Sequence, residues 1–161
     1  MDFDVTVEIP RGTRNKYEAD PATHRLHLDR TLFTATQYPA DYGYIEDTLA
    51  GDGTNLDAMV LVQEPTFPGC LILSRAVGLF RMYDEQGPTP KVLCVPAGDP
   101  RQSHLRDITD LDPFLLLEIR HFFEVYKTVE PGKRVTIDEK PWAGHEEAEA
   151  EITRCQARAG S

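Results

Sequence analysis

DGTNLDAMVLV, Asp52 to Val62, is the stretch on which the reading of the fold turns: a Gly-containing loop with acids at Asp52 and Asp57 runs directly into an apolar segment. That segment predicts a strand over Ala58–Val62. Working outward, Asp4–Ile9 alternates as a strand and Arg25–Leu28 is a short second one. Leu71–Leu79 and Lys91–Val95 are further apolar runs, separated by the Pro and Gly signals PTFPG (Pro65–Gly69) and QGPTP (Gln86–Pro90). This spacing suggests a small closed barrel. The chain then turns helical. Asp112–Tyr126 has apolar residues at helical spacing, with Pro113 suited to a first turn behind an Asp112 cap. A polar helix carrying EEAEAEITR is expected over about Gly144–Ala159. No repeat, linker or low-complexity stretch divides the sequence, so one domain over residues 1–161 is expected.

The 161 residues are 40% hydrophobic and 27% charged, enough to bury a core. With 27 acids against 17 basic residues the net charge is −10, which opposes nucleic-acid binding and suits a soluble protein that recruits cations. Cys70, Cys94 and Cys155 are widely spaced, without a C-x-x-C pair or a His partner. Cys70 and Cys94 lie in apolar runs and read as core thiols. No signal-peptide h-region and no apolar run of membrane length is present, so a cytoplasmic, membrane-free location is expected.

Taken singly, the candidate site residues have ordinary explanations. Lys16 and Glu18 flank Tyr17 at strand spacing and could be one solvated face. Arg30 follows Asp29 and could form a surface ion pair. Tyr38 and Tyr42 bracket a Pro-containing turn, where aromatic packing suffices. Asp52 and Asp57 could converge on one hard cation across a tight loop. His24, His27, His104, His121 and His145 are scattered, with a packing or interface role expected for His121, and Trp142 is expected to anchor the last helix.

Taken together, the segments resemble the soluble family I inorganic pyrophosphatases. EIP (Glu8–Pro10), NKYE (Asn15–Glu18), DR (Asp29–Arg30), YPADYG (Tyr38–Gly43), the acidic motif, MYDEQGPTPKVLCVP (Met82–Pro96) and HFFEVYK (His121–Lys127) come in the family's order and spacing. The resemblance implies a mainly β fold, an OB-like five-stranded barrel with flanking helices. It also implies magnesium-dependent hydrolysis of diphosphate to two phosphates and, as is usual in bacteria, a homo-hexamer. By position, Lys16, Arg30, Tyr42, Lys91, Tyr126 and Lys127 match residues that hold the two phosphoryl groups, as fixed cations and phenols should. Asp52, Asp57 and Asp84 match metal-ligating aspartates, and Glu8 and Glu18 match acids at the site's edge. Asp52, Asp57, Tyr42 and Lys91 are the expected catalytic set.

The pattern departs from the family at three places. The acidic motif normally reads D-G-D-P-L-D, whereas here Thr54 and Asn55 fill its third and fourth positions. Thr54 stands where the family has the aspartate that orients or deprotonates the attacking water between two magnesium ions. Thr89 replaces a second metal-sharing aspartate. A threonine hydroxyl carries no charge to balance a dication and is no base at neutral pH. Weakened magnesium occupancy and a pyrophosphatase of reduced efficiency are expected. The alternatives are a repurposed enzyme acting on another phosphorylated or anionic metabolite, and a non-catalytic phosphate binder.

Overall fold

The computed structural model describes residues 1–161. In chain order it comprises β1 (Asp2–Ile9), β2 (Asn15–Ala19), β3 (Leu26–Thr31), β4 (Asp41–Ile45), β5 (Leu56–Val60), β6 (Leu71–Asp84), β7 (Gly87–Pro88) and β8 (Lys91–Pro96). Short 3-10 turns at Pro100–Gln102 and Ile108–Asp110 lead to α1 (Pro113–Val125), β9 (Val135–Gly144) and α2 (His145–Ala159). Five strands close a ring. β1 pairs antiparallel with β4, β4 with β5, β5 parallel with β8, β8 antiparallel with β6, and β6 antiparallel with β1. This is the OB-like barrel, mainly β with two flanking helices.

β6 is the hub. Its first residues, Leu71–Arg75, pair with β1, and its later ones, Gly78–Asp84, pair with β9, while β8 lies along its other edge from Ser74 to Phe80. β2 and β3 form a separate antiparallel hairpin beside the barrel. β5 and β8, the parallel pair, are nearly continuous apolar runs because both faces are covered. Their alternation feeds two clusters. Ala58, Val92 and Cys94 pack with Val5, Val7 and the α2 residues Ala148, Ile152 and Cys155. Met59, Leu93 and Val95 pack with Phe80 and the α1 residues Ile119, Phe122, Phe123 and Tyr126.

Local chemistry fixes the helix starts. Asp112 accepts from Phe114 N at 2.9 Å, with Pro113 in the first turn of α1. α2 begins after Gly144, which has no capping side chain, and Asp107, the residue that caps the Ile108–Asp110 turn, accepts from His145 N instead. Gly43 answers to a close approach: a Cβ there would lie 1.9 Å from the Thr6 carbonyl oxygen across the β1–β4 seam.

Several sequence expectations need correction. β4 was not foreseen; Tyr42 lies in it, just past the bend at Pro39 and Ala40, with its ring centroid 5.5 Å from that of Tyr38. β9 was not foreseen; its Pro141 falls where the pairing with β6 breaks between Phe80 and Met82, as a proline in a sheet must. Trp142 packs on Phe80, with ring centroids 4.8 Å apart, in the cluster that holds α1, so it does not anchor α2. Cys70 is half-buried beside the core, whereas Cys94 and Cys155 are buried. No helix is long and apolar enough to cross a membrane.

Candidate active site

A cleft of about 780 Å³ opens between the rim of the barrel and the β2–β3 hairpin. Its inner wall follows from strand register. The parallel pairing sets Asp57 of β5 beside Lys91 of β8, and β4 delivers Tyr42 from the neighbouring strand. Lys91 is 3% exposed, and its Nζ donates to Asp57 Oδ2 at 2.6 Å and to Thr89 Oγ1 at 2.8 Å. The Tyr42 hydroxyl donates to the same Asp57 oxygen at 2.9 Å. Burial, reinforced by Asp57, pushes the Tyr42 phenol well above its ordinary pKa, and burial does the same to Tyr126. Both phenols are therefore protonated donors at neutral pH.

The loop between β4 and β5 forms one lip. Asp52 Oδ1 accepts from Thr54 N at 3.0 Å and from Thr54 Oγ1 at 2.7 Å, across Gly53 at φ +86°. Asn55 Nδ2 donates to the Thr48 carbonyl at 3.0 Å. The side chains at positions 54, 55 and 89 thus brace their own surroundings: Thr54 on Asp52, Asn55 on the loop, Thr89 on Lys91. The turn after β6 forms another lip, where Asp84 Oδ1 accepts from Gln86 N at 2.8 Å. Nearby, burial holds the Lys127 ammonium below its ordinary pKa, offset in part by Glu85 and Asp84.

The hairpin makes the outer wall. Lys16 is ion-paired to Glu18 and lies 3.6 Å from Asp29. Arg30 is paired with Asp29, and its Nε lies 2.8 Å from Glu130 Oε1. Glu8, at the end of β1, joins the two walls by accepting from Ala19 N at 2.8 Å. Burial raises the Glu8 carboxyl to about 7, against the lowering effect of that bond.

Of the residues singled out in the sequence, Lys16, Tyr42, Lys91, Tyr126, Lys127, Asp52, Asp57, Asp84, Glu8, Glu18, Thr54, Asn55 and Thr89 all line this cleft. Arg30 does not; its guanidinium is turned toward Asp29 and Glu130. The cleft also takes in Tyr44 and Glu46, which sequence reasoning missed. The signal was available in DYGYIE, since strand alternation places residues 42, 44 and 46 on one face. His121 is exposed on α1, outside the lining.

The acids are all oxygen donors, the set a hard dication prefers. Asp52 Oδ2, Asp57 Oδ1 and Asp84 Oδ2 take no hydrogen bond from the protein, whereas the other oxygen of each is engaged. No three acids converge at ligand spacing. The donor chemistry fits magnesium, and the acids are spread across the cleft rather than gathered at one point.

Residues 5–160 match the family model described as inorganic pyrophosphatase. The chain is 60% identical over 158 residues to an inorganic pyrophosphatase of Streptomyces coelicolor, covering 98% of this chain and 96% of that one. It is 50% identical over 149 residues to an inorganic pyrophosphatase of Corynebacterium glutamicum, covering 92% of each. The crystal structure of inorganic pyrophosphatase from Thermus thermophilus matches it with a TM-score of 0.95 at 42% identity, over 99% of this chain and 92% of that one.

Proposed function

The chain belongs to the inorganic pyrophosphatase family, and on that premise we propose how its cleft carries out the reaction. The protein is an inorganic diphosphatase: water cleaves diphosphate to two phosphates. The observation that carries the site assignment is the buried constellation of Asp57, Lys91 and Tyr42 at the floor of a cleft that also holds Lys16, Tyr126 and Lys127.

Lys91 has three donors, of which Asp57 and Thr89 take two, leaving one for a phosphoryl oxygen. The Tyr126 phenol and the Lys127 and Lys16 ammoniums hold the remaining oxygens, with Arg30 behind them. Asp52 Oδ2 and Asp57 Oδ1 are the free acceptors that orient the attacking water and receive its proton. As the bond from water oxygen to phosphorus forms, the bridging P–O bond breaks, and the surrounding cations take up the charge on the departing phosphate.

Magnesium, when bound, supplies charge neutralisation and lowers the pKa of the nucleophilic water. Asp52, Asp57 and Asp84 would hold it, with Glu8 and Glu18 at the edge. Thr54 and Thr89 remove two charges from that set, so occupancy is weaker and turnover falls by roughly 10² to 10⁴ relative to a relative with both acids. A homo-hexamer in the cytoplasm completes this reading.

One observation favours a second reading, in which another phosphorylated metabolite is the substrate. Thr54 and Thr89 are both tied into internal hydrogen bonds, so the pocket is stably built without the two acids. The deciding experiment is phosphate release from diphosphate, with and without magnesium, beside a relative carrying both aspartates. Magnesium-dependent release supports the first reading. Binding of diphosphate without release supports the second, or a phosphate binder.

A further inference from the structure

We propose that Glu130 is a positioning residue for diphosphate binding, acting through Arg30. The inference rests on the functional reading above. Glu130 lies in the turn that follows α1, and its N–H bonds back to the Lys127 carbonyl at 3.0 Å, which ties it to a cleft residue. The Glu130 side chain is 5% exposed. Its Oε1 sits 2.8 Å from Arg30 Nε, while its Oε2 is buried without any hydrogen-bond partner. A tether between hairpin and barrel could be made in solvent at no desolvation cost. A buried carboxylate with an orphan oxygen is costly, so its presence calls for a reason other than stability.

Arg30 is drawn two ways. Asp29, its neighbour on β3, takes Nη1 and also lies 3.6 Å from Lys16 Nζ. Glu130 attracts Nε from the barrel side, by charge rather than by an aligned hydrogen bond. The remaining Nη2 has no protein partner, so it is the donor left for a substrate oxygen. The guanidinium charge also reaches the buried hydroxyls of Tyr38 and Tyr126, and Tyr126 lines the cleft. Arg30 stands behind the cleft lining rather than in it, so without Glu130 only Asp29 would set the guanidinium, and the direction of Nη2 would no longer be fixed from both sides.

The test compares the parent protein with Glu130→Gln, Arg30→Lys and the double variant, by hydrolysis kinetics, calorimetric binding of inorganic diphosphate and thermal melting. Glu130→Gln should raise Kd and KM about tenfold, the size of a lost charge-assisted contact, with kcat nearly unchanged. In the Arg30→Lys background it should add little further, because both changes remove one interaction. Glu130→Asp, which keeps the charge at shorter reach, should fall between parent and Glu130→Gln, and it serves if the latter fails to fold. A lowered Tm with unchanged Kd and KM would overturn the inference and leave Glu130 a structural tether; multiplicative effects in the double variant would overturn it as well. If the parent neither binds nor hydrolyses diphosphate, the functional reading falls and takes the inference with it. If the parent binds and Glu130→Gln binds equally, the inference alone falls.

Discussion

On the barrel side of the cleft, Tyr42, Asp57, Thr89 and Lys91 are bonded to one another through strands whose register is locked on both faces by apolar packing. On the hairpin side no residue of β2 or β3 is buried, and Lys16, Glu18, Asp29 and Arg30 hold their places through charge. The two walls face the same cleft with different stiffness. Geometry on the inner wall is inherited from the core, whereas geometry on the outer wall depends on ion pairs that water and salt can weaken.

The largest expected effect lies at the two places where the inner wall and its lip lack an acid. Thr54→Asp combined with Thr89→Asp should raise magnesium-dependent kcat/KM by roughly 10² to 10⁴, measured as phosphate release. No gain would mean that the cleft has been reshaped more widely than these positions. Next, Lys91→Met should cost about 2 to 3 kcal/mol in urea unfolding, toward the low end for a broken buried pair because Asp57 is 26% exposed. Lys16→Met on the hairpin should cost less than about 1 kcal/mol, and equal losses would erase the distinction between the walls. Tyr42→Phe should cost about 1 kcal/mol by removing one donor to Asp57, read from the same unfolding curves. The smallest effect is electrostatic. Raising ionic strength from about 0.01 M to about 1 M shrinks the screening length from about 30 Å to about 3 Å. Amide exchange in β2 and β3 should then quicken up to about fivefold while β8 is unchanged. A uniform response would show that charge does not hold the hairpin.

The sequence revealed the strands and helices whose patterns are local. β1 alternates cleanly, β8 is apolar throughout, and α1 carries its own Asp112–Pro113 start. β4 was hidden because Pro39, Gly43 and flanking acids imitate a turn, while the reason for Gly43 lies in Thr6 on another strand. β9 was hidden by the charged DEKP run that bulges from its pairing with β6. At the site, motif order and the resemblance it carries pointed to about half of the cleft lining, the charged and phenolic half, while lining residues such as Tyr44, Glu46, His24 and His27 carried no motif to mark them. What could not be read was engagement. That Thr89 braces Lys91, that Thr54 folds onto Asp52, and that a glutamate beyond α1 reaches Arg30 are facts of three-dimensional packing with no periodicity to announce them.

The hub position of β6 has a consequence for how the molecule fails. β1, β8 and β9 all depend on it for a neighbour, so a chain that loses β6 keeps no closed ring, no parallel seam with two covered faces, and no floor beneath the cleft. Partial opening at the centre is therefore unavailable as a stable stopping point, and the barrel should melt as one cooperative unit. A protease would meet either an intact barrel trimmed at its hairpin or a fully opened chain, with few long-lived fragments between.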